Sequence, residues 1–485
     1  MSLPNRRRAG AHVDSPPPVP PRRKAGLWSS ARTVDKSDGL SARATALEIL
    51  LRVEQGAFAD VLLGHRLPGF NFSDRRLITG LVLGTTAWRA RLDYELDRLV
   101  REGVERLDLP VRTLLRMGLY QLRFLTRIGA YAAVDTAVTL AKQRDETRAA
   151  AGLVNAVLRR AAAHPAPALP EPQAGLVRHL AIRYSHPEWL VERILEWFGE
   201  SEARLLLARN NEPAPNWIRL NLAHATRQEV LARLCAEGIE VAPFAGLPEA
   251  GLLCEALPRE TAANVRALFT PQSAASQMVA RLLAPEAGAA VLDCAAAPGG
   301  KATHLAELTG PGGRVFAIDR RLEGLQAARS LAQRLGHRNI SLVCADVVGG
   351  LPFRPGSFGF VLLDAPCSGL GTLRSHPEIR WRLAPQDLER LAVLQGRMLE
   401  SAAAMVKPNG VIVYAVCSFA PTEGVEVVRR FLGQNRDFVV DDTGPKFNKL
   451  RLARSAGGFL CLSLSPSRNG LDGFFAVRLR RRSEG

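Results

Sequence analysis

The feature that most restricts how this chain can fold lies in its second half. From about residue 266, apolar runs of strand length alternate with helical stretches. The runs are "AAVLDCA", "RVFAID", "ISLVCAD", "FGFVLLDA", "GVIVYAVCS" and "GFFAVRLRR". Strands alternating with helices predict a doubly wound α/β sheet over 266–485. Open sheets of this kind bind ligands beyond the carboxyl ends of their strands. Those ends carry Asp293, Asp319, Asp346, Asp364 and Cys417.

The front half has a different texture. From Ser41, "ATALEILLRV", "VRTLLRMGLYQLRFL", "AAVDTAVTLAKQ" and "AGLVNAVLRRAAA" place apolar residues three and four apart, which predicts an all-helical domain over 39–170. The Pro-rich "HPAPALPEPQ" closes it. More helix follows in "PEWLVERILEWF". "NWIRLNLA", "TRQEVLARLCAEG" and "IEVAPF" then read as strand, helix and strand, a helical and small α+β connector over 171–265. Residues 1–38 lack an apolar period and read as a disordered basic tail.

Charge narrows the function. A formal charge of +17 and a pI near 10.3 favour a polyanionic partner, nucleic acid before membrane. Residues 1–38 hold eight basic and three acidic residues, so most of the excess belongs to the folded body. An Arg-rich solvated surface would also contribute. The seven cysteines form no C-x-x-C pair, so neither a zinc site nor a disulfide framework is indicated, and no metal is expected. An odd cysteine count fits a reducing compartment. With no apolar run long enough to cross a bilayer, a cytoplasmic protein is expected.

The first strand of the second half runs into "DCAAAPGGKATHLAEL", a small-residue turn that opens a helix. Gly299 and Gly300 would let the backbone approach a ligand at the helix N-terminus. The turn is neither G-x-G-x-x-G nor a P-loop. Asp319 follows Gly300 by 19 residues, the spacing of the acid that takes ribose hydroxyls in dinucleotide folds. Asp346 could accept from an adenine amino group. Ribose and adenine contacts without a pyrophosphate loop indicate S-adenosyl-L-methionine rather than NAD. Singly, each of these residues reads as an ordinary turn or helix cap; on successive strands they read as a cofactor site.

Cys367 and Cys417 each end an apolar run at the ligand edge, before turn residues. Cys235, Cys254, Cys294, Cys344 and Cys461 are expected to be small buried hydrophobes instead. A thiolate is a strong nucleophile. Pyrimidine C5 attacks an electrophile only after something has added at C6, and a thiolate can do that. Asp364 could hold or protonate N3, and a base must then take the C5 proton so that the thiol leaves. One thiol as nucleophile and a second assisting elimination is a coherent pair.

"DCAAAPGGK", "DAPCSGLGTLRSHPEIRW", "YAVCS" and "DGFFAVRL" resemble motifs of the RNA 5-methylcytosine methyltransferase family. "DRRLITGLVLGTTAWR", "MGLYQL" and "GLVNAVLRR" resemble the NusB-like domain of its Sun/Fmu branch, which modifies a cytosine of bacterial 16S ribosomal RNA. The resemblance runs from about Arg43 to Arg478. It implies an all-α NusB-like N-terminal domain, a small α+β connector and a Rossmann-type class I methyltransferase domain. It also implies that Cys417, in Y-x-x-C-S, is the nucleophile and that Cys367, in D-A-P-C-S, assists release. The local Pro-Cys context, as in DNA cytosine methyltransferases, would have favoured Cys367 as nucleophile. Ala295, Ala296, Ala297, Pro298, Gly299, Gly300, Lys301, Asp319, Asp346 and Asp364 would surround the cofactor. In two places the chain departs from the family pattern. Cys294 directly follows Asp293, leaving Ala295 at the usual cysteine position, and Ser273 stands where an acid is common.

The implied partner is 16S ribosomal RNA, free or within a small-subunit assembly intermediate, bound by a monomer. Arg374 and His376 are expected on a mobile loop contacting the RNA backbone, and Trp381 in the core. The rival readings are the same chemistry on transfer RNA, or a non-catalytic NusB-like RNA-binding or antitermination factor.

Overall fold

The structure, a computed structural model, describes residues 36–255, 263–445, 453–454 and 458–483. The basic segment therefore lies outside the described residues up to residue 35.

The front of the chain is helical from Lys36–Glu54 to Ala151–Ala163. The helix Leu109–Phe124 runs through its centre, buried along most of its length. Leu47, Leu81, Leu92, Leu96, Leu114, Leu115 and Leu158 form the core around it. Burying each such side chain contributes roughly 1.5–3 kcal/mol. Two further helices, Leu176–Tyr184 and Glu188–Arg209, lead into a small antiparallel sheet. Its order is Val241–Pro243, Ala250–Leu253, Trp217–Leu220, Phe269–Pro271. The helix Arg227–Ala236, started by a Thr226/Glu229 capping box, presents Val230 and Leu234 to Ile218 and Leu220 of this sheet.

The second half forms a large sheet of nine strands among the described residues. In chain order they are β1 (Ala290–Asp293), β2 (Arg314–Asp319), β3 (Ile340–Cys344), β4 (Phe358–Asp364), β5 (Val406–Val416), β6 (Phe438–Val440), β7 (Ala453–Arg454), β8 (Leu460–Leu464) and β9 (Phe474–Arg481). The spatial order is β7-β8-β9-β5-β4-β1-β2-β3, with β6 also paired to β9. β3 to β5 are parallel through β2, β1 and β4, whereas β9 runs antiparallel to β5. Helices Ala274–Leu283, Gly300–Thr309, Leu322–Leu335 and Pro385–Ala403 accompany the parallel strands.

Strand order explains a departure among the cysteines. Cys294 and Cys461 are buried as expected, but Cys235, Cys254 and Cys344 are exposed. Cys344 ends β3, the edge strand, whose residues are only half-covered. Cys235 lies on the outward side of its helix, and Cys254 follows the last residue of its strand.

Two polar seams join the three parts. In the first, the fully buried Arg219 of the small sheet reaches the helix Gly300–Thr309. It donates to the Gly300 carbonyl at 2.5 Å, Gln272 Oε1 at 2.6 Å and Thr303 Oγ1 at 2.9 Å. The second seam is the segment 374–382. Arg380, fully buried, donates to the carbonyls of Ser185 and Asn210 and to Asn211 Oδ1, at 3.0, 3.2 and 2.8 Å. Ser185 and Asn210 end the two connector helices, so one guanidinium satisfies carbonyls at both C-termini. Trp381 Nε1 donates to the Thr86 carbonyl at 2.7 Å, and Arg382 donates to carbonyls of Val53 and Ala57. Glu378 accepts from the Ala59 amide at 3.1 Å.

This seam corrects the expectation of a mobile RNA-contacting loop. Arg374 is buried and donates to the Gly470 carbonyl at 3.0 Å and Asp472 at 3.2 Å. His376 Nδ1 lies 4.0 Å from Asp60 of the helical domain. Trp381 is half-buried between domains rather than within one core.

Candidate active site

The chain leaves β1 toward β2 and β3, and leaves β4 toward β5 on the other side. The crevice between β1 and β4 is therefore the topological switch point of the sheet, where open α/β folds place their ligands. Asp293 stands opposite Leu362, and Asp364 stands opposite Ala415. Both acids thus sit at the carboxyl ends of adjacent strands, and Cys367 and Cys417 follow on the turns after β4 and β5.

The two sulfurs are 3.1 Å apart, and both thiols are free and partly buried. Hydrogen bonding to Cys417, then burial, then the nearby charges of Cys417, Glu423 and Asp364 push the Cys367 thiol well above the usual range.

Lys301, in the first turn of the helix after the small-residue loop, places Nζ 2.5 Å from Asp364 Oδ2 and 5.6 Å from the centre of the Phe474 ring. Burial disfavours its charged form. The charge and hydrogen bond of Asp364, helped by Cys417 and Asp293, outweigh that and raise the Lys301 pKa. Sequence reasoning placed Lys301 only in the cofactor loop. Its pairing with Asp364 spans 63 residues, and no local pattern announces it.

Asp319 Oδ2 accepts from the Ala297 amide at 3.2 Å, and Oδ1 accepts from the Arg321 amide at 2.9 Å. Each oxygen keeps a further lone pair for a ligand hydroxyl. Gly299 takes φ +103°, and a Cβ there would come within 2.7 Å of Ala328 Cα, so the turn requires glycine. Ala295, Ala296, Ala297, Pro298 and Gly300 complete this loop between β1 and its helix. Asp346 is exposed just beyond the edge strand β3, with Oδ1 accepting from the Val348 amide.

Asp293 is fully buried, and neither of its oxygens has a hydrogen-bond partner of ordinary geometry among the described residues. Burial pushes its carboxyl up to about 7, opposed by Lys301 and by the Ala295 amide, and reinforced by Asp364. An acid at the β2 tip, a loop needing glycine and an orphaned carboxylate beneath it fit a ligand carrying ribose hydroxyls and an ammonium group, as S-adenosylmethionine does.

Behind the thiols lies a polar cluster that sequence reasoning missed: Ser368, Gln395, Tyr414, Ser418 and Glu423, all buried. Glu423 stands six residues past Cys417 in a polar turn, a position with no pattern to single it out. Among the described residues, no helix is long and apolar enough to cross a membrane.

Comparison with known proteins agrees with this architecture. The family description "16S rRNA methyltransferase RsmB/F" matches residues 280–480, "NusB family" matches 40–163, and an RsmF/B-like ferredoxin-like domain matches 186–259. The ribosomal RNA small subunit methyltransferase B of Sodalis glossinidius is 34% identical over 457 residues, covering 92% of this chain and 98% of that protein. The crystal structure of PH0851 superposes with a TM-score of 0.77 at 24% identity, covering 93% of this chain and 100% of that one. NSun6 from Pyrococcus horikoshii, solved with SFG, gives a TM-score of 0.55 at 21% identity, covering 61% of this chain and 99% of that one. With a NusB domain, a ferredoxin-like connector and a methyltransferase domain in that order, the chain belongs to the 16S rRNA methyltransferase RsmB/F family.

Proposed function

We propose that this protein methylates C5 of a cytosine in 16S ribosomal RNA, using S-adenosyl-L-methionine, through a covalent bond between Cys417 and C6. The observation that carries this reading is the pair of sulfurs 3.1 Å apart at the switch point, on turns next to the Asp364–Lys301 ion pair. The names of relatives such as the Sodalis glossinidius methyltransferase support the choice of substrate.

Each group has a role that its chemistry suits. Cys417 Sγ adds to C6, which makes C5 nucleophilic. Asp364, with Lys301 beside it, holds or protonates N3 and so takes up the negative charge that addition at C6 pushes into the ring. The bound cofactor supplies an electrophilic methyl group. Ala295 to Lys301, Asp319 and Asp346 would hold it. After transfer the C5 proton must leave before the Cys417–C6 bond breaks, and Cys367 assists that elimination. The NusB domain and connector extend the RNA-binding surface, with backbone contacts that weaken as salt rises. A target cytosine in a duplex must be flipped out, at a cost of a few kcal/mol.

The test is methylation of purified 16S and transfer RNA in vitro, read by bisulfite sequencing. One protected cytosine in 16S RNA that requires Cys417 is expected. Protection confined to transfer RNA, or none in either, would overturn the proposal.

A further inference from the structure

Each of the two cysteines is followed by a serine: Cys367-Ser368 after β4, and Cys417-Ser418 after β5. Both serines are buried, and their hydroxyl oxygens lie 3.2 Å apart. The fully buried carboxylate of Glu423 sits against them. Its Oε1 accepts from the Ser368 amide at 2.7 Å and from Gln395 Nε2 at 3.0 Å, and its Oε2 accepts from the Ser368 hydroxyl. Gln395 Nε2 also donates to the Pro366 carbonyl at 2.9 Å. The peptide groups on both sides of Cys367 are therefore held, one by Gln395 and the other by Glu423.

Glu423 is tied equally to the other turn. The Tyr414 hydroxyl, three residues before Cys417 on β5, donates to the Glu423 carbonyl at 2.5 Å. Ser418 Oγ accepts from the Ala420 amide at 3.2 Å, and the Cys417 carbonyl accepts from the Gly371 amide at 3.0 Å. The side-chain partners of Glu423 among the described residues are neutral donors. Burying a carboxylate without a cation is costly, and an apolar side chain of similar size would pack at less expense. A specific role for the charge and its acceptor geometry accounts for the choice.

We propose that Glu423 is a positioning residue, which locks the Cys367 turn against the Cys417 turn and so sets the two sulfurs at contact distance. The proposal rests on reading the two thiols as the catalytic pair. Its charge bears on the same thiol, as one of the groups that push the Cys367 pKa up.

The thiols can be tested without RNA or cofactor. Alkylation by iodoacetamide, followed at each cysteine by peptide mass spectrometry across pH, reports ionisation and access. In Glu423→Gln the Cys367 profile should move to lower pH, with alkylation at a fixed alkaline pH about tenfold faster than in the wild type. The exposed Cys235, Cys254 and Cys344 serve as internal controls and should not change. In turnover, kcat should fall at least about tenfold while KM for RNA and the affinity for S-adenosylmethionine stay within about twofold. If Glu423→Gln does not fold, Ser368→Ala cuts the same tie from the other side and should show the same split. An unmoved Cys367 profile, or a change shared by the control cysteines, would overturn the proposal. Because alkylation needs no RNA, a wild-type protein that methylates nothing would overturn the function above and leave this result standing.

Discussion

The Lys301 ammonium lies 2.5 Å from the Asp364 carboxylate, joining the first turn after the cofactor loop to the end of the strand that carries the thiol turn. The contact ties together two motifs that are 63 residues apart. A hydrogen-bonded cation at this point fixes where the Asp364 carboxylate stands, at the end of the strand that leads into the Cys367 turn.

Lys301→Met removes that cation and keeps the length of the side chain. Preorganised electrostatic groups of this kind contribute about 10²–10³ in kcat, so single-turnover methyl transfer should slow by about 10²-fold. Transfer within a few-fold of wild type would leave the ion pair without a part in the reaction.

Arg380 meets two helix ends at once, and removing it orphans the Ser185 and Asn210 carbonyls inside the seam. Each charge-assisted hydrogen bond contributes about 1.5–3 kcal/mol, so Arg380→Met should cost several kcal/mol in denaturant unfolding. Burial lowers the Arg380 pKa to about 9, with Glu378 opposing, which reflects how completely the group is removed from water. A further sign should be faster proteolysis in the connector helices. An unchanged midpoint and unchanged cleavage would show that the helical domain docks by other contacts.

Arg219 and Glu307 form the buried pair of the other seam, with Nε 3.5 Å from Oε2. Removing one partner of such a pair leaves a buried charge and typically costs about 3–5 kcal/mol. Arg219→Met should therefore be strongly destabilising. Adding Glu307→Gln, which can still accept from the Leu222 amide, should recover part of the loss. A double variant no more stable than the single one would show that the contacts to Gly300 and Thr303, not the charge pair, carry the effect.

What was legible in the sequence followed from local order. Asp319, Asp364, Cys367 and Cys417 stand where apolar runs stop, and a run's end is readable without knowing its neighbours. The helical front and the strand–helix alternation were legible for the same reason. Strand order was not, so Cys344 read as buried when it ends an edge strand. Nor were the long-range polar ties. Glu423 to Ser368 spans 55 residues, Arg219 to Gly300 spans 81 and Arg380 to Ser185 spans 195. Buried arginine and glutamate look like surface residues until the fold removes their water. The segment around Arg374 and His376 misled in that way, since its charges suggested RNA and in fact grip other parts of the chain.

Asp293 gives a pH dependence of defined sign. Its carboxyl titrates near 7 in the folded chain and at the ordinary aspartate value of 3.8 when unfolded. Between those values the folded state binds the extra proton, so stability is greatest below about 4 and falls as pH rises toward 7. Asp293→Asn stays neutral and should lack that slope. Its stability advantage over wild type, measured without cofactor, should grow from near zero at about pH 4 to a few kcal/mol at about pH 7.5. Parallel curves for the two proteins would mean that Asp293 is solvated or paired in solution.

The two thiols should differ in what each leaves behind when it is removed. Addition at C6 and elimination are distinct steps, so removing the group for one need not prevent the other. Cys417→Ala should lose methylation and form no covalent RNA complex. Cys367→Ala should still attack and accept the methyl group, then stall as a protein–RNA adduct that survives denaturing electrophoresis. Slow turnover by the Cys367 variant is compatible with this order, since another base can take the C5 proton. An adduct with Cys417→Ala and none with Cys367→Ala would reverse the two roles.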